Sequence, residues 1–301
     1  MRRLAAARLS AARRAAERLG PARRRALAHG LAIALVIVVG YYDLLVVLGW
    51  LGVDAHAYWS AWEHGLYGVP AGHRDAYLYS PAFAQLLWPL TRLPWEAFLA
   101  LWAGAMCAIF VWLLRPLPRL WLVPALLLCL PEALQGNINA VLALMIVVGF
   151  RYPAAWAFAL LTKVSTAVGL VWFAARGEWR ALAVPLAVAG ALAAVSYALW
   201  PELWQGWLNL LTAGAANGAG TWLFPVRLMA AAGLVAWGAR SGRRWTVPVG
   251  VILGSPILFL NTLTILAALP RLALLPAPAT AAAADPGPAR TSRTAGASAD
   301  G

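Results

Sequence analysis

Apolar stretches recur along most of this chain, at Leu31–Gly49, Trp95–Leu114, Leu120–Leu134, Asn139–Phe150, Ala154–Ala175, Ala181–Trp200, Trp222–Ala239 and Thr246–Leu269. A helix crosses the hydrocarbon in about 20 residues, so some of these stretches span comfortably and others fall short. Backbone polar groups must be satisfied inside lipid, and the short stretches therefore predict broken or re-entrant helices. Only 12% of the residues are charged against 62% hydrophobic, and the mean hydropathy is +0.72. A soluble domain carries roughly a quarter charged residues. The chain reads as an all-α, polytopic transmembrane helix bundle.

The net charge of +13 suggests a nucleic-acid partner until its distribution is read. Nine arginines (Arg2, Arg3, Arg8, Arg13, Arg14, Arg18, Arg23, Arg24 and Arg25) precede the first apolar run. No aromatic residues interleave with them, so no nucleic-acid partner is expected; they fit a cytoplasmic anchor that obeys the positive-inside rule and touches anionic lipid. The run from Leu31 continues through Gly49 with no Ala-x-Ala site between its end and Asp54, and it is read as a retained helix, not a cleaved leader. Residues 1–29 thus form a basic cytoplasmic segment and 30–270 a membrane domain. Residues 271–301, rich in Ala, Pro, Gly, Ser and Thr from Pro276 onward, form a disordered tail. Cys107 and Cys129 lie inside apolar stretches and are packing residues.

Arginines also assign sides. Arg115 with Arg119, Arg151, Arg176 with Arg180, and Arg240 with Arg243 and Arg244 stand at apolar boundaries and are placed in the cytoplasm. The stretch 181–226 has no Lys or Arg, so Pro201–Thr221 reads as an external loop, as does Trp50–Ser80. Only the 24 residues 152–175 separate Arg151 from Arg176. That is too few for two crossings and enough for a hairpin reaching about mid-membrane. Lys163 falls near its tip. A lysine at such depth costs about 2.5 to 3.5 kcal/mol and meets a partner or a cavity. It snorkels or pairs with Asp43, or it holds a bound anion.

The loop after the first span carries Asp54, where a carboxylate reaches water and headgroups together. Asp54–His64 has the composition of a short helix ending before Gly65, with Trp59 and Trp62 at i, i+3 spacing, lying flat in the interface with its aromatics toward lipid. His56, His64, His73, Asp54, Glu63 and Asp75 show no metal-ligand spacing, and no metal or other cofactor is assigned. Tyr77–Phe83 leads into a short apolar segment closed by Pro89 and Pro94, which dips into the outer leaflet or crosses with difficulty.

In order, the landmarks are Asp54, Tyr77-Leu78-Tyr79-Ser80-Pro81, Gly136-Asn137-Ile138-Asn139, Lys163, Arg176-Gly177-Glu178-Trp179-Arg180 and Ser255-Pro256. Over roughly Tyr42–Leu269 this order resembles glycosyltransferase family 87, membrane transferases that use polyprenol-phosphate sugars and include mannosyltransferases and arabinofuranosyltransferases. The resemblance implies a GT-C-type fold with an external active-site loop, and the position matching the family's catalytic aspartate is Asp54. The chain departs from the family's Tyr-x-Tyr-Pro-Pro at Ser80 and from its Gly-Gln-x-Asn at Asn137. It has Val164 where a proline commonly follows the lysine, and Ile257–Asn261 where a Trp and histidines are common.

The resemblance thus implies a multi-pass enzyme of the cell membrane, its N-terminus cytoplasmic and its active site outside. It would move a sugar, mannose being preferred, from a polyprenol-phosphate donor to a glycolipid or glycan acceptor. Asp54 is the expected general base, with inversion, because a covalent route needs a second carboxylate such as Glu63 or Asp75. Lys163 and Arg227 are the expected donor-phosphate cations. Asn137, Asn139, Gln135, Tyr58, His56 and Trp62 are the expected sugar contacts. Two other classes stay open: a transporter or lipid flippase with broken helices, and a catalytically inactive scaffold subunit.

Overall fold

The computed structural model describes residues 20–63, 65–216 and 223–276. Most of the arginine-rich segment, His64 and nearly all of the expected tail lie outside the described residues. The described chain is all-α. Helix α1 is Pro21–Val47, α2 Val53–Trp59, α3 Pro81–Leu87, α4 Trp95–Leu114, α5 Arg119–Gln135, α6 Asn139–Gly149, α7 Ala157–Leu161 and α8 Val171–Ala175. Helix α9 is Trp179–Leu199, α10 Pro201–Ala216, α11 Leu223–Arg240, α12 Thr246–Leu253 and α13 Leu269–Leu272. Short 3₁₀ segments at Leu90–Arg92, Pro153–Trp156, Val164–Leu170 and Leu260–Ala268 complete it.

Among the described residues, α4 and α9 are each long and apolar enough to cross a membrane. The α5–α6 pair qualifies together but bends by 117° at Gly136–Ile138. Gly136 makes that bend possible: at φ 82° it caps α5 in the left-handed region. A Cβ there would stand 2.5 Å from the Ala55 methyl of α2. The Arg151–Arg176 segment is the second broken element: α7 and the 3₁₀ turn Val164–Leu170 meet at Thr162–Lys163. Trp156 fills its interior, and a Cβ on Gly169 would come within 2.1 Å of its ring.

One end of the bundle collects arginine. The Arg176 guanidinium donates to the Ala239 carbonyl, Arg244 lies over Phe150, and Arg271 donates to the Trp112 carbonyl and covers the Trp112 ring. Of the boundary arginines read as one cytoplasmic set, Arg176 and Arg244 are neighbours, and Arg115 is a neighbour of Arg271. The opposite end carries α2, α3 and the start of α4. Trp102 sits seven residues into α4 and donates to the Gly136 carbonyl, which puts the α5–α6 bend about 10 Å below that end of a helix about 30 Å long.

Several expectations change. Pro201–Thr221 is not a plain loop: Pro201–Ala216 forms α10, held by Trp204 Nε1 on Ser196 Oγ at 2.9 Å and by Gly206 against the Tyr67 ring. Helix α2 stops at Trp59, and its N-cap is Gly52 in the left-handed region, with Asp54 in the first turn. Trp59 and Trp62 are half-buried and pack on the protein core; Trp59 Nε1 donates to the Leu93 carbonyl at 2.8 Å. The segment after Ser80 forms only a seven-residue helix, about 10 Å long, which does not cross. Thr246–Leu269 divides at Gly254–Phe259.

Candidate functional site

The two broken elements aim their tips at each other, beneath α2. Asn137 and Asn139 alternate with fully buried Ile138 across the α5–α6 bend, which turns both amides to one side and the isoleucine into the core. Lys163 Nζ donates to Asn137 Oδ1 and to Asn139 Oδ1, each at 3.1 Å. Asn137 Nδ2 donates to Asp54 Oδ2 at 2.9 Å. Beside Asn139 lies Glu132, 1% exposed. Asn139's side-chain and backbone donors are next to its carboxylate, yet neither oxygen makes a hydrogen bond of normal geometry. Asp54 and Lys163 are the electrostatic neighbours of Glu132. The charges run Asp54, Lys163, Glu132, with one asparagine at each junction.

This chemistry fixes the amides. A lysine ammonium can only donate and a carboxylate can only accept, so each asparagine turns its oxygen to Lys163 and its nitrogen away. Burial pushes the Asp54 carboxyl above the ordinary aspartate range; the Asn137 hydrogen bond and the Lys163 ammonium pull it back in part. Asp43, weighed above as a partner for Lys163, is exposed on α1 and makes no hydrogen bond to it.

The Tyr77–Pro81 motif supports this polar cluster from the side. Tyr58 and Tyr79 meet at their hydroxyls, 3.2 Å apart, and the Tyr58 ring stands edge-on to Tyr79, Phe83 and Trp102. Tyr67 donates to the Tyr79 carbonyl and Tyr77 to the Ser80 carbonyl. Ser80, fully buried, donates to the Leu161 carbonyl at 2.5 Å. Leu161 ends α7, two residues before Lys163, so this hydroxyl satisfies an orphan carbonyl at the break. A proline at position 80 could not do so.

Other sequence-predicted residues lie elsewhere. Gln135 is on the flank, its Oε1 accepting from Asn261 Nδ2 at 3.0 Å and its Nε2 donating to Tyr41 at 3.1 Å. His56 is two residues from Asp54, about 200° around the helix, and faces away: its Nδ1 is 2.7 Å from Asp75 Oδ1, and its ring meets Trp59 and Trp95. Trp62 packs on the core with Nε1 enclosed and unpartnered. Arg227 Nη2 donates to the Ser255 and Pro256 carbonyls at 2.7 and 2.8 Å, capping the unwound stretch after α12. Gly254 in turn lies against the Ser165 carbonyl, so this stretch borders the Lys163 hairpin. Among the described residues no three His, Cys, Asp or Glu side chains group as metal ligands.

The sequence reading passed over Glu132, and it met Ser80 and Asn261 only as departures from the family's pattern, without a role. Glu132 had a signal: it is a carboxylate inside the apolar run Leu120–Leu134, and ionisable residues in such runs face functional cavities. Asn261 had none, since its contact with Gln135 spans 126 positions of the chain.

Compared with known families, residues 77–285 match the model of glycosyltransferase family 87. No curated protein and no solved structure matches the chain. The matched segment holds the Tyr77–Pro81 motif, both broken elements and Ser255-Pro256, while Asp54 precedes it. The chain belongs to glycosyltransferase family 87, and it is a membrane glycosyltransferase.

Proposed function

We propose that this family member transfers mannose from a polyprenol-phosphate donor to an extracytoplasmic glycolipid or glycan, with inversion and with Asp54 as general base. The observation that carries the reading is the joining of Asp54 to Lys163 through Asn137, a carboxylate and an ammonium in one hydrogen-bonded cluster. The acceptor hydroxyl gives its proton to Asp54 as its oxygen attacks the anomeric carbon. The bond from that carbon to the phosphate oxygen breaks on the opposite face, and the polyprenyl phosphate leaves with the electron pair. Two of the three Lys163 ammonium protons go to amide oxygens, which leaves one for the departing phosphate. Arg227, on α11 and bonded to the adjoining Ser255–Pro256 stretch, shares that charge. Asn137 fits the sugar hydroxyls, whereas His56, Trp62 and the buried Tyr58, Gln135 and Asn139 act as supports of the loop and the lysine.

Two further features support this reading. The polar cluster is inset from the end opposite Arg176 and Arg244, which under the positive-inside rule is the extracytoplasmic end, with the N-terminus cytoplasmic. An apolar cavity of about 240 Å³ between α4 and α5, bordered by Cys107, Leu126 and Ala133, lies deeper than the bend and fits part of an isoprenoid chain.

The test is transfer by purified protein from polyprenyl-phosphomannose to a panel of glycolipids, read by mass. Asp54→Asn should lower turnover about 10²- to 10⁴-fold while donor binding persists; undiminished turnover refutes the base. Broken helices also line transport paths, so proteoliposomes that move the lipid without any acceptor would favour a flippase instead.

A further inference from the structure

Glu132 is the buried carboxyl group that the transfer mechanism leaves unused. It projects from the last turn of α5, 1% exposed, with the Asn139 side-chain and backbone donors beside its oxygens but neither oxygen in a hydrogen bond of normal geometry. A carboxylate in that state is costly unless a cation meets its charge. The charged and titratable groups around it are Lys163 from the hairpin, Asp54 from α2, Tyr58 and Tyr79 from the loop, and Cys129 on its own helix. Lys163 is the one cation among them.

We propose that Glu132 is the counter-ion held by Lys163 when the site is empty and surrendered to the donor phosphate on binding, a positioning residue that sets donor affinity and product release. This rests on the reading of Lys163 as the donor-phosphate cation. With both carboxylates ionised, the cluster holds two negative charges and one positive, and a phosphate enters against the difference. Asn139 keeps the exchange possible. By standing between acid and ammonium it prevents a closed, directly hydrogen-bonded ion pair, so Lys163 feels Glu132 without being locked to it. When polyprenyl phosphate is left after transfer, Glu132 competes again for the ammonium and speeds its departure.

Binding of polyprenyl-phosphomannose and of polyprenyl phosphate to purified protein in nanodiscs tests this. Glu132→Gln removes the competing charge at constant shape, so the Kd for both lipids should fall on the order of tenfold, with kcat lowered by slower release. Glu132→Asp should restore weaker binding and faster release. In a Lys163→Met background Glu132→Gln should lose its effect. Should the glutamine variant not fold, Glu132→Met, similar in shape and uncharged, should show the same tightening.

A merely structural Glu132 would leave Kd unchanged or raise it, or would act equally with Lys163→Met. Either result overturns the inference and leaves the proposed transferase standing, provided Lys163→Met itself weakens binding. If Lys163→Met binds the donor as tightly as the unaltered protein, both the inference and the phosphate role of Lys163 fall.

Discussion

Replacing Gly136 by alanine tests how the polar cluster is held together. Two costs act there. At φ 82° an L-residue loses roughly 1–2 kcal/mol to left-handed strain. The new Cβ would also lie 2.5 Å from the Ala55 methyl and 3.0 Å from the Ala55 nitrogen, about an ångström short of ordinary contact. Overpacking of that kind costs about 1–3 kcal/mol, so the total is about 2–5 kcal/mol. Part of the clash is relieved by moving α2, which carries Asp54 away from Asn137, and transfer activity should fall further than stability alone explains. Ala55→Gly discriminates the two costs. Alone it loses about 1 kcal/mol of helix propensity; combined with Gly136→Ala it removes the methyl contact but neither the strain nor the backbone contact. A double-mutant cycle followed by thermal unfolding in detergent should therefore show a favourable coupling of about 1–2 kcal/mol, with transfer partly regained. Effects that add within about 0.5 kcal/mol would refute the close approach of α2 to the bend.

Two other perturbations bear on the same geometry. Asp54 must be deprotonated to accept a proton, and burial raises its pKa, so activity should fail on acidification at a pH above the ordinary aspartate range. Asn137→Ala removes a lowering hydrogen bond and should move that acid limb of the kcat/KM profile upward; a limb unmoved or moved downward would contradict the assignment. Ser80→Ala strips the Leu161 carbonyl of its donor and should cost about 1–3 kcal/mol as a buried group left unsatisfied, read as a lower Tm, with donor affinity reduced through the loosened Lys163 turn.

What the sequence made legible follows from how far each signal travels along the chain. The hairpin was readable because arginines bound it at a fixed spacing and 1.5 Å of rise per residue limits its depth. Asp54 and Lys163 stood out as single charges beside or within apolar runs. Helix α10 was readable too: Leu203, Trp204, Trp207, Leu208 and Leu211 carry the helical period, but the absence of arginine and the polar residues around them suggested loop. Glu132 was hidden by averaging, one acid among fourteen uncharged residues of Leu120–Leu134. The face taken by His56 was settled by α2 being helical at that point, which puts neighbours two apart on opposite sides. Which way Asn137 and Asn139 turn was not readable, because at a break neither the strand nor the helix period applies; Lys163, on another segment, decides it.

That arrangement explains why amides stand where charges might pair directly. A carboxylate and an ammonium in contact about 4 Å apart attract by about 4 kcal/mol at an effective dielectric of 20, and more where water is excluded. A lysine so engaged is a poor receiver for an anion. Asn137 and Asn139 instead satisfy two Lys163 protons with neutral oxygens and pass their nitrogens toward Asp54 and Glu132. The ammonium is thereby oriented without being neutralised at contact, and its remaining proton stays available. The same amides hold the two carboxylates apart, and Asp54 keeps an oxygen outside its Asn137 hydrogen bond with which to take a proton. The side-chain length matters as much as the polarity: glutamine at 137 would set its amide one methylene farther out, against an ammonium and a carboxylate already at hydrogen-bond distance. The shorter amide in this chain therefore fits the approach of the Lys163 tip to α2, and its exchange for glutamine requires one of those two elements to move.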